Sequence, residues 1–167
     1  MNIYLLGYMG CGKSTVGRIV ADALGCPFAD LDDAVENAAG RSIADIFNTD
    51  GEAAFREMEL KALKAVLKKY SSGTVVLALG GGTVTIPEAV KLLQDNTLCI
   101  WLQASAEELE ARVQAGEGQV IRPLAGERFR ERLSEREPLY AAVAHICLDT
   151  TGLTPQEIAD EIIIDCL

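Results

Sequence analysis

Nine residues near the start of the chain, Gly7-Tyr8-Met9-Gly10-Cys11-Gly12-Lys13-Ser14-Thr15, fit the pattern G-x-x-x-x-G-K-[ST]. Glycines at this spacing let backbone N–H groups turn inward around an anion, and a helix that starts beside them adds the positive end of its dipole. In such a loop the lysine amine reaches the β- and γ-phosphates of a nucleoside triphosphate, and the Ser14 hydroxyl ligates magnesium. The pattern requires a strand before it and a helix after it. Ile3-Tyr4-Leu5-Leu6 is a short apolar run, and residues 14–24 read as helix. The loop therefore specifies a phosphoryl donor and leaves the acceptor open.

Other residues with chemical capacity follow the remaining apolar runs. Asp30-Leu31-Asp32 comes directly after a candidate strand, and the C-terminal ends of strands are where open α/β sheets bind ligands. On an extended chain these two carboxylates share a face, one suited to hydrated magnesium and the other to a substrate hydroxyl. Helix capping by Asp32 or Asp33 is the second reading, and the two are compatible. Gly80-Gly81-Gly82 follows Val75-Val76-Leu77-Ala78-Leu79, and suggests either a ligand pressed against bare backbone or a flexible bend. Arg56 and Glu59 stand at helical i, i+3 spacing, which reads as a surface ion pair. Arg136 abuts Pro138, where a helix is expected to break or kink and an arginine can turn inward; a guanidinium fork suits a carboxylate or a phosphate. Cys11 reads as a small filler in the loop, with oxidation sensitivity as a second reading because it lies at a helix N-terminus.

These groups need a scaffold, and the apolar pattern supplies one. Strands are expected over 3–6, 28–30, 75–78, 98–102 and 145–148, and helices over 13–24, 32–39, 42–48, 51–70, 87–94, 106–115, 127–144 and 155–166. Alternation of this kind predicts an α/β fold on a parallel sheet. The chain has 167 residues and no repeat or linker, so a single domain over 1–167 is expected. Residues 115–119, small, polar and rich in glycine, lead to Arg122 and suit either a lid or an ordinary surface loop. Trp101 and Phe129 read as core aromatics. The net charge of −10 argues against nucleic-acid binding and obliges a phosphate-handling protein to concentrate its cations locally. Five scattered cysteines without C-x-x-C spacing point to free thiols and a cytoplasmic setting, and the chain shows neither a signal peptide nor an apolar run long enough for a membrane.

Taken in order, these segments resemble shikimate kinase over essentially the whole chain. The resemblance rests on the loop at 7–15, on Asp30-Leu31-Asp32, and on Gly40-Arg41-Ser42-Ile43-Ala44-Asp45-Ile46-Phe47. It continues through Gly51-Glu52-Ala53-Ala54-Phe55-Arg56, Gly80-Gly81-Gly82, Arg122-Pro123-Leu124 and Arg136-Glu137-Pro138-Leu139-Tyr140. It implies a three-layer P-loop fold of the nucleoside monophosphate kinase type, with a five-stranded parallel sheet in order 2-3-1-4-5. A substrate-binding region over about 32–60, a lid over about 112–124 and a monomeric enzyme are part of the same resemblance. The implied reaction moves the γ-phosphoryl group of ATP to the 3-hydroxyl of shikimate. The implied phosphate-binding residues are Gly10, Cys11, Gly12, Lys13, Ser14, Thr15 and Arg122, with Ser14 and Asp30 at Mg2+. Asp32, Arg56, Gly80, Gly81, Gly82 and Arg136 would bind shikimate, and Lys13, Asp32 and Arg122 would carry the chemistry. The turn before the last helix lacks the arginine or other polar residue that many relatives carry near Gly152, which leaves the adenine contacts open; Arg112 is one candidate for them. A gluconate or nucleotide kinase and an inactive binding domain are the rival readings.

Overall fold

Central strands buried on both faces read as unbroken apolar runs, and two segments of this chain behave that way: residues 3–6 and 75–79 are at most 3% exposed. A computed structural model of the chain describes residues 1–94, 97–115 and 128–166. Its elements run β1 (Asn2–Leu6), α1 (Lys13–Leu24), β2 (Phe28–Asp30), α2 (Leu31–Ala39), α3 (Ile43–Asp50), α4 (Glu52–Lys69) and β3 (Val76–Ala78). A 3-10 turn (Thr83–Thr85) follows, then α5 (Pro87–Leu93), β4 (Thr97–Gln103), α6 (Ala106–Gln114), α7 (Phe129–Val143), β5 (Ile146–Asp149) and α8 (Pro155–Cys166). The five strands form one parallel sheet in the order β2-β3-β1-β4-β5, the order that the resemblance implies.

The register fixes what shares the functional edge. Asp30 and Leu5 are both level with Ala78, Leu6 with Trp101, and Gln103 with Asp149. The residues that leave the C-terminal ends of the strands therefore emerge side by side: the glycine-rich loop after β1, Asp30 at the end of β2, the glycine trio after β3, and Thr150 after β5. Helices pack on the sheet, α1 against β3 and α8, and α7 against β4. Trp101 and Phe129 lie in the core, at 8% and 6% exposure.

Element ends differ from the sequence expectation by a residue or two, as fraying ends do, and two differences carry meaning. Asp30 closes β2 and caps α2 at once: its side chain accepts from the Asp32 N–H at 2.9 Å, and the helix starts at Leu31. The cap is thus neither Asp32 nor Asp33, and the chain is not extended across the pair. Helix α7 also runs through Pro138 without a break. Proline removes one intrahelical bond and costs about 3 kcal/mol in a helix interior. The face formed by Phe129, Leu133, Arg136, Tyr140 and Val143 is buried along the whole helix. That packing overrides the local preference.

Candidate active site

The donor side is built by the first glycine-rich loop. Gly10 and Gly12 have φ of 85° and 89°, the left-handed region where a side chain is strained. Gly10 also lies under α6, where a Cβ would stand 2.9 Å from the Leu109 carbonyl oxygen. α1 begins with no side chain capping its first N–H groups and no acid in its first turn, whereas α2, α3 and α6 each have a side-chain cap. Those N–H groups face the loop, the arrangement that favours an anion. The Lys13 amine is held over the loop by the carbonyls of Gly7 at 2.7 Å and Tyr8 at 3.2 Å, with the Cys11 sulfur at 3.5 Å. Cys11 packs beside Gly7 and is 1% exposed. Ser14 donates a short hydrogen bond to Asp30, which joins the start of α1 to the end of β2.

On the acceptor side each glycine of the trio faces a different polar side chain. A Cβ on Gly80 would fall on Glu59 Oε1 and stand 3.3 Å from Asp32 Oδ1. One on Gly81 would be 3.6 Å from Arg136 Nη1, and one on Gly82 would fall within the Arg56 guanidinium. None of the three has positive φ, so these glycines supply room and not a special backbone conformation. Much of that room is taken by the chain's own side chains. Asp32, Arg56 and Arg136 converge on one stretch of backbone as a result, although they come from α2, α4 and α7.

Buried hydrogen bonds hold those cations in place. Glu59 is 0% exposed; it accepts from Arg56 Nη1 at 2.7 Å and from the Thr83 hydroxyl at 2.6 Å. The expected surface pair of Arg56 and Glu59 is therefore a largely buried one. Phe55, Glu59, Ala62, Leu63 and Val66 form the inward stripe of α4, and the stripe carries the carboxylate inside with it. The same reason turns Arg136 inward: it lies on the buried stripe of an unbroken α7, not at a helix break, and it is 6% exposed. Tyr140, one turn on, donates to the Gly81 carbonyl. Burial pushes its phenol pKa up, with the Arg136 charge pulling partly against this, so the hydroxyl stays a donor.

A family model described as shikimate kinase matches residues 9–167. The chain is 42% identical over 166 residues to the shikimate kinase of Enterococcus faecalis, covering 97% of this chain and 96% of that protein. It is 44% identical over 156 residues to that of Mycobacterium avium, covering 90% and 85%. The chain belongs to the shikimate kinase family. Among solved structures, the shikimate kinase from Acinetobacter baumannii in complex with shikimate superposes with a TM-score of 0.87 at 34% identity, covering 99% of this chain and 92% of that one.

For a shikimate kinase, the residues singled out in the sequence fall into two neighbouring groups: Gly10 to Thr15 with Asp30 on one side, and Asp32, Arg56, Gly80, Gly81, Gly82 and Arg136 on the other. Arg122 and residues 116–124 of the expected lid lie outside the described residues. Glu59, Thr83, Tyr8 and Tyr140 support the site without having been singled out for it. For Glu59 a signal existed in the sequence, since its spacing from Phe55, Leu63 and Val66 is that of an apolar stripe. Arg112 bonds the Gly10 carbonyl at 3.4 Å, the Thr150 carbonyl at 3.1 Å, the Thr150 hydroxyl at 3.3 Å and Glu108, and so bridges the glycine-rich loop and the β5–α8 turn.

Proposed function

We propose that this shikimate kinase family member transfers the γ-phosphoryl group of ATP to the 3-hydroxyl of shikimate, releasing ADP and shikimate 3-phosphate. The observation that carries the reading is the convergence of one carboxylate and two arginines on the glycine trio, at the sheet edge that also holds the phosphate loop. A small polyhydroxylated carboxylate needs that set: two guanidinium groups for its carboxylate and a carboxylate for its hydroxyls. Gluconate is also a hydroxylated acid, but family membership favours shikimate. Arg56 and Arg136 bind the acid group, Gly81 lies against the ring, and Asp32 orients the 3-hydroxyl and takes its proton. As the oxygen bonds to the γ-phosphorus, the bond from that phosphorus to the β–γ bridging oxygen breaks and its electrons leave with ADP. Such a transfer needs in-line positioning and charge neutralisation more than covalent help. The loop N–H groups and Lys13 meet the phosphates, and Arg122 is assigned to the same task from the lid. Lid closure over 112–124 would exclude water as a competing acceptor.

The donors at the start of α1 suit magnesium. Ser14 and Asp30 offer hard oxygen atoms only, and Mg2+ beside a nucleotide is commonly held by one or two protein oxygens with phosphates and water completing the shell. Ser14 would bind it directly and Asp30 through water, and the ion would supply charge neutralisation at the phosphates. Among the described residues no helix is long and apolar enough to cross a membrane. The enzyme is assigned as a cytoplasmic monomer with one domain.

A coupled ADP-release assay across shikimate, gluconate and nucleoside monophosphates tests the reading. Turnover with shikimate alone is expected, and ADP release with either of the others but not with shikimate would overturn it. Gly82→Ala is a second test. Its Cβ would fall within the Arg56 guanidinium and strain the bond to the buried Glu59, so stability should fall by about 1–3 kcal/mol. Arg56 must move, and KM for shikimate is expected to rise about tenfold, a loss of about 1.4 kcal/mol of binding. An unchanged KM would remove Arg56 from the carboxylate site.

A further inference from the structure

Tyr8 stands at a position that the phosphate-loop pattern leaves open, yet it touches both halves of the site. It is 1% exposed. Its hydroxyl donates to the Phe129 carbonyl at 2.9 Å, a buried bond between residues 121 apart in sequence. Its ring meets the Phe129 ring edge to face, with centroids 4.8 Å apart, and the Arg136 guanidinium carbon lies 5.6 Å from its centroid. Its carbonyl accepts from the Lys13 amine at 3.2 Å. One residue thus contacts the donor-side cation through its backbone and the acceptor-side cation through its ring.

The second observation concerns α7 as a lever. Its first residue is bonded by the Tyr8 hydroxyl, and near its other end the Tyr140 hydroxyl bonds the Gly81 carbonyl. Arg136 lies between these two attachments, about 10 Å along the helix from the first and about 6 Å from the second at 1.5 Å per residue. Without the first attachment that end of α7 is held by side-chain packing alone. A tilt of about 10° about the second attachment moves Arg136 by about 1 Å, a misplacement that can cost as much as about 100-fold in rate at a positioned site.

We infer that Tyr8 is a positioning residue that keys α7 to the phosphate loop, so that the Arg136 fork sits at a fixed distance from the phosphoryl donor. The inference rests on the proposed function of the site, in which Arg136 binds the substrate carboxylate. A double-substitution cycle tests it, with Tyr8→Phe, Arg136→Lys and the two combined. Shikimate kinetics, ADP titration calorimetry and thermal melts are read on each purified full-length chain. Tyr8→Phe deletes the hydroxyl and keeps the ring, and is expected to raise KM for shikimate about fivefold to tenfold with ADP affinity within about twofold. In the Arg136→Lys background the same change is expected to alter that KM by less than about twofold, because the fork it aligns is gone. Additive effects would overturn the inference, as would ADP affinity falling in step with the rise in KM, which would confine Tyr8 to the phosphate loop. A lowered melting temperature with KM unchanged would leave Tyr8 a structural residue only and would also overturn it. Arg136→Lys alone with an unaltered KM for shikimate would overturn the proposed site itself, an outcome visible before Tyr8 is changed.

Discussion

Asp32→Ala should lower kcat with shikimate by about 1000-fold while ADP affinity stays within about twofold of the unsubstituted chain. Removal of a positioned acid or base commonly costs 100- to 10,000-fold, and the middle of that range is about 4 kcal/mol of transition-state stabilisation. Asp32 lies in the first turn of α2, where an acid is worth roughly 0.3–1 kcal/mol against the helix dipole. The cap bond at that terminus uses the Asp32 backbone N–H and the Asp30 side chain, and alanine keeps it. Initial rates at saturating ATP and shikimate, with an ADP titration on the same protein, separate these terms. Turnover near the original rate would remove Asp32 from the chemistry, and lost ADP affinity would move it to the donor side.

The second large effect is expected at Glu59, which is fully buried and bonded to Arg56. Glu59→Ala strands the Thr83 hydroxyl and takes from Arg56 its partner at 2.7 Å, in a place where Glu59 itself is fully buried. Removing one member of a buried ion pair costs about 3–5 kcal/mol. The Arg56 side chain keeps 16% exposure and a second acid, Glu52, at 3.3 Å, so the lower end applies. For a chain of this size about 3 kcal/mol corresponds to a fall in melting temperature of roughly 6–12 °C. Because an arginine freed from its rail binds a carboxylate less well, KM for shikimate should rise about tenfold in the same variant. Glu59→Gln keeps an oxygen for Thr83 and loses the charge facing Arg56, so its melting temperature should fall less while KM still rises. A melting temperature within about 2 °C for Glu59→Ala, or an unchanged KM in both variants, would count against Glu59 as the support for Arg56.

The two variants mark how far the chain could be read residue by residue. Asp32 was visible because it combines a chemical type with a position after a strand. Glu59 is visible in the sequence only as half of an i, i+3 pair, which reads as a surface pair because local spacing carries no information on what a helix packs against. The apolar stripe from Phe55 to Val66 held the missing signal. Arg136 shows the converse: the sequence turns it inward at a helix break, but Pro138 does not break α7. Local propensity places a boundary there, and the buried face of the helix outweighs it. At Asp30 the expected extended pair is a strand end that turns straight into a capped helix, so one carboxylate both starts α2 and accepts from Ser14.

What the sequence by itself determined is local and patterned: the strand–loop–helix of the phosphate site, the alternation that specifies a parallel α/β sheet, and the family to which its ordered motifs point. Each of these follows from spacing along the chain, which sets glycine turns, helical faces and strand runs without reference to distant residues. Only the tertiary structure decided that Gly80, Gly81 and Gly82 face Asp32, Arg136 and Arg56, that Glu59 lies buried behind them, and that Tyr8 reaches Phe129. Those contacts join residues from 21 to 121 positions apart, and sheet register and helix packing bring them together. Spacing names the groups that can act, and long-range packing decides which of them meet.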